Sequence, residues 1–449
     1  YSIISQVRDY MLKKRKLKIH PYVFIILTFL SAILLGTICL MLPWAVRDGV
    51  RLSFIDALFM STSSVCVTGL SVICPATKLS VFGKIVMAIL MEVGGLSFLT
   101  IAVCFFAILG GKIGISNRYL LREALNQNSL AGIVQLVKRI ILISVIIQLI
   151  GVVLNYLALM SYYNYNFGKT LGAAVFHSIA SFNNAGFDVF GEQSLIPFKD
   201  NVLLNISTMF LILCGGLGFI VIEELVSKHS LRKLSLHSKI VLIMTFTLTI
   251  VGMLVFKLSM YNQITWLQAL FTAVTCRTAG FTVMPLDQIP PSAYIGFIVL
   301  MFIGASSCST GGGIKTTTIF VIFLTLFYYA QGKKPRIFHR RISDASIFKA
   351  FVLFGIAVMM VMMGTLMIGF SQPNLGLEKI LFEIVSGFST TGLTMGITSS
   401  LNTFSKVVLC FMMFFGRLGP LTIIGVVNHN WMTESKEKIQ YVEERVIVG

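Results

Sequence analysis

Charge is what this chain has least of. Only 12% of its 449 residues are Asp, Glu, Lys or Arg, and just 18 of them are carboxylates, where a soluble domain averages about a quarter charged residues. With 56% hydrophobic residues, the chain has no means of covering a surface in water. Its size suits one integral membrane unit. Cys-x-x-Cys pairs are also missing. The eight cysteines (Cys39, Cys66, Cys74, Cys104, Cys214, Cys276, Cys308 and Cys410) lie in or beside apolar segments, which argues against a zinc site or a disulfide framework and reads as small apolar packing. Neither a Gly-x-Ser-x-Gly elbow nor a His-Glu-x-x-His pair occurs. Gly311-Gly312-Gly313-Ile314-Lys315-Thr316 falls short of a phosphate-binding loop, because Ile314 stands where a glycine must precede the lysine. His177 is solitary in its segment and reads as a core group. An intramembrane enzyme would need an acid/base pair or metal ligands at depth, and no such constellation is found. The chain opens on Tyr1 without a signal-peptide pattern, and its first apolar span is long enough to stay in the membrane.

What charge there is leans positive, at +18. The basic residues gather between apolar spans. They form an N-terminal arm (Lys13, Lys14, Arg15, Lys16, Lys18), then Lys112, Arg118, Arg122, Lys138 and Arg139, then Lys228, Arg232, Lys233 and Lys239, and finally Lys333, Lys334, Arg336, Arg340, Arg341 and Lys349. Loops that retain Lys and Arg mark the cytoplasmic face. The charge is therefore a topology signal with some attraction to anionic membrane lipid, and no nucleic-acid partner is expected.

Eight apolar spans run roughly over 22–46, 81–109, 140–160, 202–226, 240–256, 294–330, 351–370 and 407–427, each near or above the ~20 residues a helix needs to cross a bilayer. The basic segments alternate with them so that both termini are expected in the cytoplasm and the spans pair into hairpins. The expected units are a cytoplasmic arm (1–20), pore repeats at 21–111, 137–228, 238–331 and 348–429, and a cytoplasmic tail (430–449).

Inside each hairpin lies a stretch too short to cross: 56–65, 169–182, 266–275 and 378–388. Each rises to a glycine in a similar way. The first reads Phe59 … Cys66-Val67-Thr68-Gly69, and the second Phe176 … Asn183-Asn184-Ala185-Gly186. The third reads Phe271 … Arg277-Thr278-Ala279-Gly280, and the fourth Phe382 … Ser389-Thr390-Thr391-Gly392. Such self-similarity fixes the architecture first. It predicts an all-α integral membrane protein of four tandem membrane–pore-helix–membrane repeats, with eight transmembrane helices and four re-entrant loops around one pore. Non-helical backbone at membrane depth is tolerated only where it is buried or lines water. Glycine permits the left-handed angles that aim successive carbonyls one way, and carbonyls replace a cation's hydration shell. The negative ends of the short helices add to the field. No carboxylate ring is present at the four glycines, so a dehydrated monovalent cation is favoured over a divalent one. Arg277 is the exception in charge, and an arginine held behind the loop is the expected reading, with tuning of the field along the path as the other.

The span after each loop carries small residues: Gly94-Gly95, Gly215-Gly216-Leu217-Gly218, Gly304 to Gly313, and Gly416-Arg417-Leu418-Gly419-Pro420. Close helix packing accounts for the first two. The third span, 294–330, is nearly twice the length needed, and its centre reads Gly304-Ala305-Ser306-Ser307-Cys308-Ser309-Thr310-Gly311-Gly312-Gly313. Such residues hold a helix poorly. Two half-helices joined by a polar loop beneath the four glycines are expected, and that loop is a gate candidate. Arg417, at the corresponding depth in the fourth copy, marks function by default. It is read as a positive barrier, as a donor to the loop, or as a structural partner of Glu92.

On these residues the chain resembles the Trk/Ktr/HKT superfamily of potassium transporters, most closely the bacterial Ktr membrane subunits, over roughly 21–449. The specific pieces are Thr68-Gly69-Leu70, Phe182 to Phe187, Arg277 to Phe281, Gly304 to Thr318 and Gly416 to Thr422. The resemblance implies K⁺ as the transported ion at the bacterial plasma membrane, in a homodimer with one pore per subunit. It implies a cytosolic KtrA- or KtrC-like ring that binds ATP or ADP and cyclic di-AMP, none of it on this chain. It carries the filter to Gly69, Gly186, Gly280 and Gly392, and the gate to Gly304–Gly313 and Arg417. Gly69 in place of serine looks like the potassium-selective branch, a sodium-permeable relative being the alternative, and eight spans favour Ktr over bacterial Trk. Cys66 and Cys276 beside the filter depart from the pattern and leave its redox sensitivity open. Val446–Gly449 is expected at the dimer interface.

Overall fold

The computed structural model describes residues 21–49, 51–96, 132–287 and 289–419. The N-terminal arm, the basic residues Lys112, Arg118 and Arg122, the far part of the second span and everything from 420 on, including Val446–Gly449, lie outside the described residues.

One order of helices recurs along the chain. A long helix, α1 (Pro21–Met41), leads to a short one, α2 (Phe54–Val65), then a glycine loop and α3 (Val81–Leu96). The second set is α4 (Ile133–Leu159), α5 (Phe167–Phe182), α6 (Val202–Leu217) and α7 (Phe219–Lys228). The third is α8 (Leu236–Ser259), α9 (Trp266–Thr275), α10 (Pro291–Phe302) and α11 (Thr316–Tyr329). The fourth is α12 (Asp344–Ser371), α13 (Leu377–Ser389) and α14 (Thr403–Leu418). A two-residue antiparallel hairpin, β1 (Arg336–Ile337) with β2 (Arg340–Arg341), lies in the basic segment between α11 and α12.

Helices α1, α4, α8 and α12 are long and apolar enough to cross a membrane. Their outer faces expose Leu35, Ile38, Phe246, Leu258 and Phe370, the last at 85%. A soluble protein rarely leaves so much apolar surface open. The centre is the inverse: Ser61, Ser63, Ser64, Asn183, Asn184, Thr272, Ser386 and Thr390 are buried. An apolar shell around a polar interior is the arrangement of a multi-pass membrane protein.

Three of the four short helices begin on side-chain caps, the fourth starting after Gly376 without one. Ser53 Oγ accepts from Asp56 N at 3.1 Å, Asn166 Oδ1 from Lys169 N at 3.0 Å, and Thr265 forms a capping box with Gln268. Each also packs against a glycine of the preceding long helix. A Cβ at Gly36, Gly151, Gly252 or Gly364 would run into Ser61, Ser178, Ala273 or Ile384, respectively. The missing side chains let the helices close on one another. Ser61 and Ser178 then donate to Ile33 O and Gln148 O, each at 2.7 Å.

Among the described residues, two of the eight spans expected from hydropathy are not single helices, one of them against expectation. Helices α6 and α7 meet at 98°. There Gly218 takes φ 95° and ψ 137°, which glycine alone adopts readily, and Phe219 N donates to Cys308 O at 2.8 Å. Close packing was the expected role of that glycine set, and a chain break is added to it. Helices α10 and α11 are separated by residues 303–315, as the run of small residues predicts.

Candidate functional site

The short helices aim their C-termini at a common centre, and each following loop repeats two left-handed residues. These are Val67 and Gly69 (φ 56° and 96°), Asn184 and Gly186 (58° and 66°), Thr278 and Gly280 (75° and 83°), and Thr390 and Gly392 (54° and 88°). The residue before each glycine keeps its N–H on the helix it has left. Thr68 N donates to Ser63 O, Ala185 N to Ala180 O and Thr391 N to Ser386 O, each at 2.8 Å, and Ala279 N to Thr275 O at 2.9 Å. The carbonyls of these four residues point elsewhere.

Their oxygens lie against one another's glycines, in a closed circle. A Cβ on Gly69 would lie 2.5 Å from Ala185 O, and one on Gly186 would lie 2.7 Å from Ala279 O. One on Gly280 would meet Thr391 O, and one on Gly392 would meet Thr68 O. Glycine at all four positions is thus required twice over, by φ and by the neighbour's backbone. The side chains of Cys66, Val67, Thr68, Asn183, Ala185, Ala279, Ser389 and Thr391 are fully buried around the ring. Cys66 and Cys276 are free thiols without surface exposure.

Charged groups are turned away from the ring. Arg277 is 5% exposed, and its guanidinium reaches Thr245 O and Oγ1 on α8, both at 3.4 Å. Asp188, two residues past Gly186, folds back to accept from Phe190 N at 3.1 Å. Burial lifts its carboxyl to about 6 despite that bond. His177 Nε2 lies 2.8 Å from Thr208 Oγ1 inside the core, while its buried Nδ1 makes no hydrogen bond.

Residues 303–315 lie across the helix-terminal side of the ring. An Ile303–Ile314 bridge pins the two ends of the segment together. The hydroxyls of Ser306 and Ser307 meet those of Thr316 and Thr317 at 3.3 and 3.2 Å. Toward the second set, Ser306 N donates to Gly216 O at 3.1 Å, Thr310 N to Gly215 O at 3.2 Å and Thr310 Oγ1 to Phe182 O at 3.3 Å. Toward the fourth, Gly312 N donates to Thr390 Oγ1 at 2.9 Å and Gly313 N to Gly416 O at 3.3 Å. Within the third, a side chain on Gly311 would run into Thr278 Oγ1. Gly304 sits against Gly312 O, and Ala305 O accepts from Thr316 N at 3.3 Å. Ser309 Oγ donates back to Ser306 O at 2.7 Å, and Cys308 O holds Phe219.

Arg417 supplies the contact to the first set. Its guanidinium donates to Thr310 O on the loop, to Gly94 O, and to Gly95 O at 3.0 Å. Of the three sequence readings, the donor to the loop describes this geometry, and the pairing with Glu92 is corrected. Glu92 accepts from Asn183 Nδ2 at 2.6 Å and from Gln148 Nε2 at 3.0 Å, amide donors that satisfy the carboxylate behind the second loop. Three features went unread in the sequence. One is the glycine set of the long helices, which no local pattern distinguishes from ordinary packing. Another is Glu383, buried on α13 and accepting from Thr394 and Thr398. The third is Lys315, whose Nζ donates to Gly311 O at 2.7 Å. Its signal was a lysine beside a run of glycines, which local reading could only test against a phosphate loop.

Comparison with known proteins bears on the family and the fold. Residues 4–228 and 258–434 match the TrkH family, described as cation transport protein. The potassium/sodium uptake protein NtpJ of Enterococcus hirae is 35% identical, the match covering 98% of this chain and 99% of NtpJ. The Ktr system potassium uptake protein B of Bacillus subtilis is 37% identical, over 94% and 95% of the two chains. The crystal structure of the potassium transporter TrkH from Vibrio parahaemolyticus shares the fold, with TM-score 0.73 at 20% identity over 92% of this chain and 86% of that one. By sequence over nearly its whole length and by fold, the chain belongs to the TrkH family of cation transport proteins.

Proposed function

We propose that this protein takes up K⁺ through the glycine ring, and that residues 304–313 with Arg417 gate the path. The observation that supports this most strongly is the closed circle of four left-handed glycines, each against the next copy's carbonyl, with a polar loop bonded across it. Carbonyl oxygens of Thr68, Ala185, Ala279 and Thr391 replace hydration water around a monovalent cation. The C-termini of α2, α5, α9 and α13 each add about half a negative charge. The remaining residues of the four stretches (Cys66 to Gly69, Asn183 to Gly186, Arg277 to Gly280, Ser389 to Gly392) hold the backbone in that shape. The repeats at 21–111, 137–228, 238–331 and 348–429 wrap one pore, with both termini in the cytoplasm of a bacterial plasma membrane. The protein works as a homodimer under a cytosolic regulatory ring of the Ktr kind, which carries the nucleotide and cyclic di-AMP sites. Expressed in a strain lacking its own potassium uptake systems, it should restore growth on low K⁺ and rubidium-86 uptake. Membrane-inserted protein that restores neither with its ring present would refute the reading.

A sodium-permeable variant is the second reading, favoured by the K⁺/Na⁺ name of NtpJ. Reversal potentials in mixed K⁺/Na⁺ separate the two.

The gate assignment makes a prediction at Arg417. A fixed charge ~8 Å from the path costs a cation roughly 2 kcal/mol at an effective dielectric of ~20, or about thirtyfold in rate. Arg417→Gln removes both that field and the bond to Thr310 O, so basal uptake should rise. Combined with a shortened loop, the gain should be less than additive, because one partner is already gone. Full additivity would make the arginine an independent barrier, and a loss of flux would make it structural.

A further inference from the structure

The loop across the ring offers three consecutive carbonyls to positive charge. Thr310 O accepts from Arg417, and Gly311 O accepts from Lys315 Nζ at 2.7 Å, with Gly312 O 3.5 Å from the same ammonium. Carbonyls turned to a cation are the chemistry proposed for the ring itself, which the loop touches at Thr390. Gly312 N is meanwhile bonded to Thr390 Oγ1 at 2.9 Å, so the carbonyls on which Lys315 acts belong to the segment joined to the fourth loop. The ammonium reaches back along its own chain from the first position before α11, where Lys315 is the N-cap residue. Among the described residues, neither Lys315 nor Arg417 has a carboxylate in salt-bridge contact. Both donate to backbone oxygens.

Glycine is needed for this cage. A side chain on Gly311 would run into Thr278 Oγ1, and one on Gly312 would lie 2.5 Å from Thr390 Oγ1. Bare peptides let the loop approach the ring, and their carbonyls then need a donor. An ammonium on a flexible stem meets that need, and moves with α11 because it stands at that helix's first turn. Two cations therefore hold adjacent peptides, Arg417 from α14 and Lys315 from the start of α11.

We propose that Lys315 is a tethered cation that occupies the loop's carbonyl cage at Gly311 and Gly312 in place of a permeating K⁺, so that two of the protein's own charges hold the path shut. This rests on the gate reading of the loop and deepens it. Opening moves Lys315 Nζ off Gly311 O as α11 shifts, which frees oxygens that a passing K⁺ can use. Lys315 is thus a positioning residue for the loop, and movement of α11 is what releases it.

The test is basal rubidium-86 uptake in the absence of any regulatory ring. Lys315→Met should raise it about tenfold, the shift in equilibrium expected for one lost charge-assisted hydrogen bond. Lys315→Arg keeps a donor cation and should stay near the parent rate, a rescue that a merely structural loss would not show. Lys315→Gln is the second variant if the methionine protein does not insert. A chain lacking residues 306–312 serves as control, and Lys315→Met on that background should add nothing. If the deletion raises uptake while inserted Lys315→Met and Lys315→Gln leave it unchanged, the lysine proposal is overturned and the gate reading stands. If the deletion also leaves uptake unchanged, both are overturned.

Discussion

Removing residues 306–312 should raise ring-independent rubidium-86 uptake more than any point substitution. The segment holds the bonds to Gly215, Gly216, Phe182 and Thr390, and it includes Thr310, the loop contact of Arg417. If the closed arrangement is favoured by a few kcal/mol, about 1% of molecules are open at rest, and losing the obstruction raises flux on the order of a hundredfold. The ring itself is bonded to its own short helices through Ser63, Ala180, Thr275 and Ser386, so selectivity should survive the deletion. A shortened protein that inserts, keeps its K⁺ preference and still needs the cytosolic ring for conduction would sink the gate assignment.

Gly69→Ser should lower K⁺/Na⁺ discrimination. At φ 96° a Cβ is strained in any surroundings, and here it would also lie 2.5 Å from Ala185 O, which belongs to backbone and cannot swing aside. A side chain in the left-handed region costs about 1–2 kcal/mol, roughly tenfold in the population of the ring-shaped backbone. The displaced carbonyl is the one next in the circle, so the effect passes to the second loop. The measurement is the reversal potential in mixed K⁺/Na⁺, and an unchanged value would remove Gly69 from the filter. Because the circle is closed, Gly186→Ser, Gly280→Ser and Gly392→Ser should act in the same direction.

The sequence carried the architecture a long way because the repeat is covalent information. A glycine nine or ten residues after a phenylalanine, four times over, set the short helices to within two residues of where they run. Hydropathy found the four unbroken spans for a similar reason: a helix facing lipid must be apolar along its whole length. The loop at 303–315 was legible because Gly, Ser and Thr hold a helix poorly. The bend at Gly218 was not, because whether a glycine packs or breaks a helix depends on what competes for its neighbours' hydrogen bonds. Here the competitor is Cys308 O, 89 residues away in sequence and adjacent in space.

By itself, then, the sequence determined that this is an apolar, repeated, helical membrane chain with four glycine loops, no carboxylate ring at their glycines, and one polar interruption. Periodicity, composition and residue chemistry are local, and they survive without coordinates. Tertiary structure decided who meets whom: the order of the glycines around the circle, Arg417 on Thr310 rather than on Glu92, and Lys315 on Gly311. Hydrogen-bond partners at such separations follow from how helices cross, and glycines that permit close crossing, such as Gly36 or Gly364, look alike in sequence whether or not another helix lies against them.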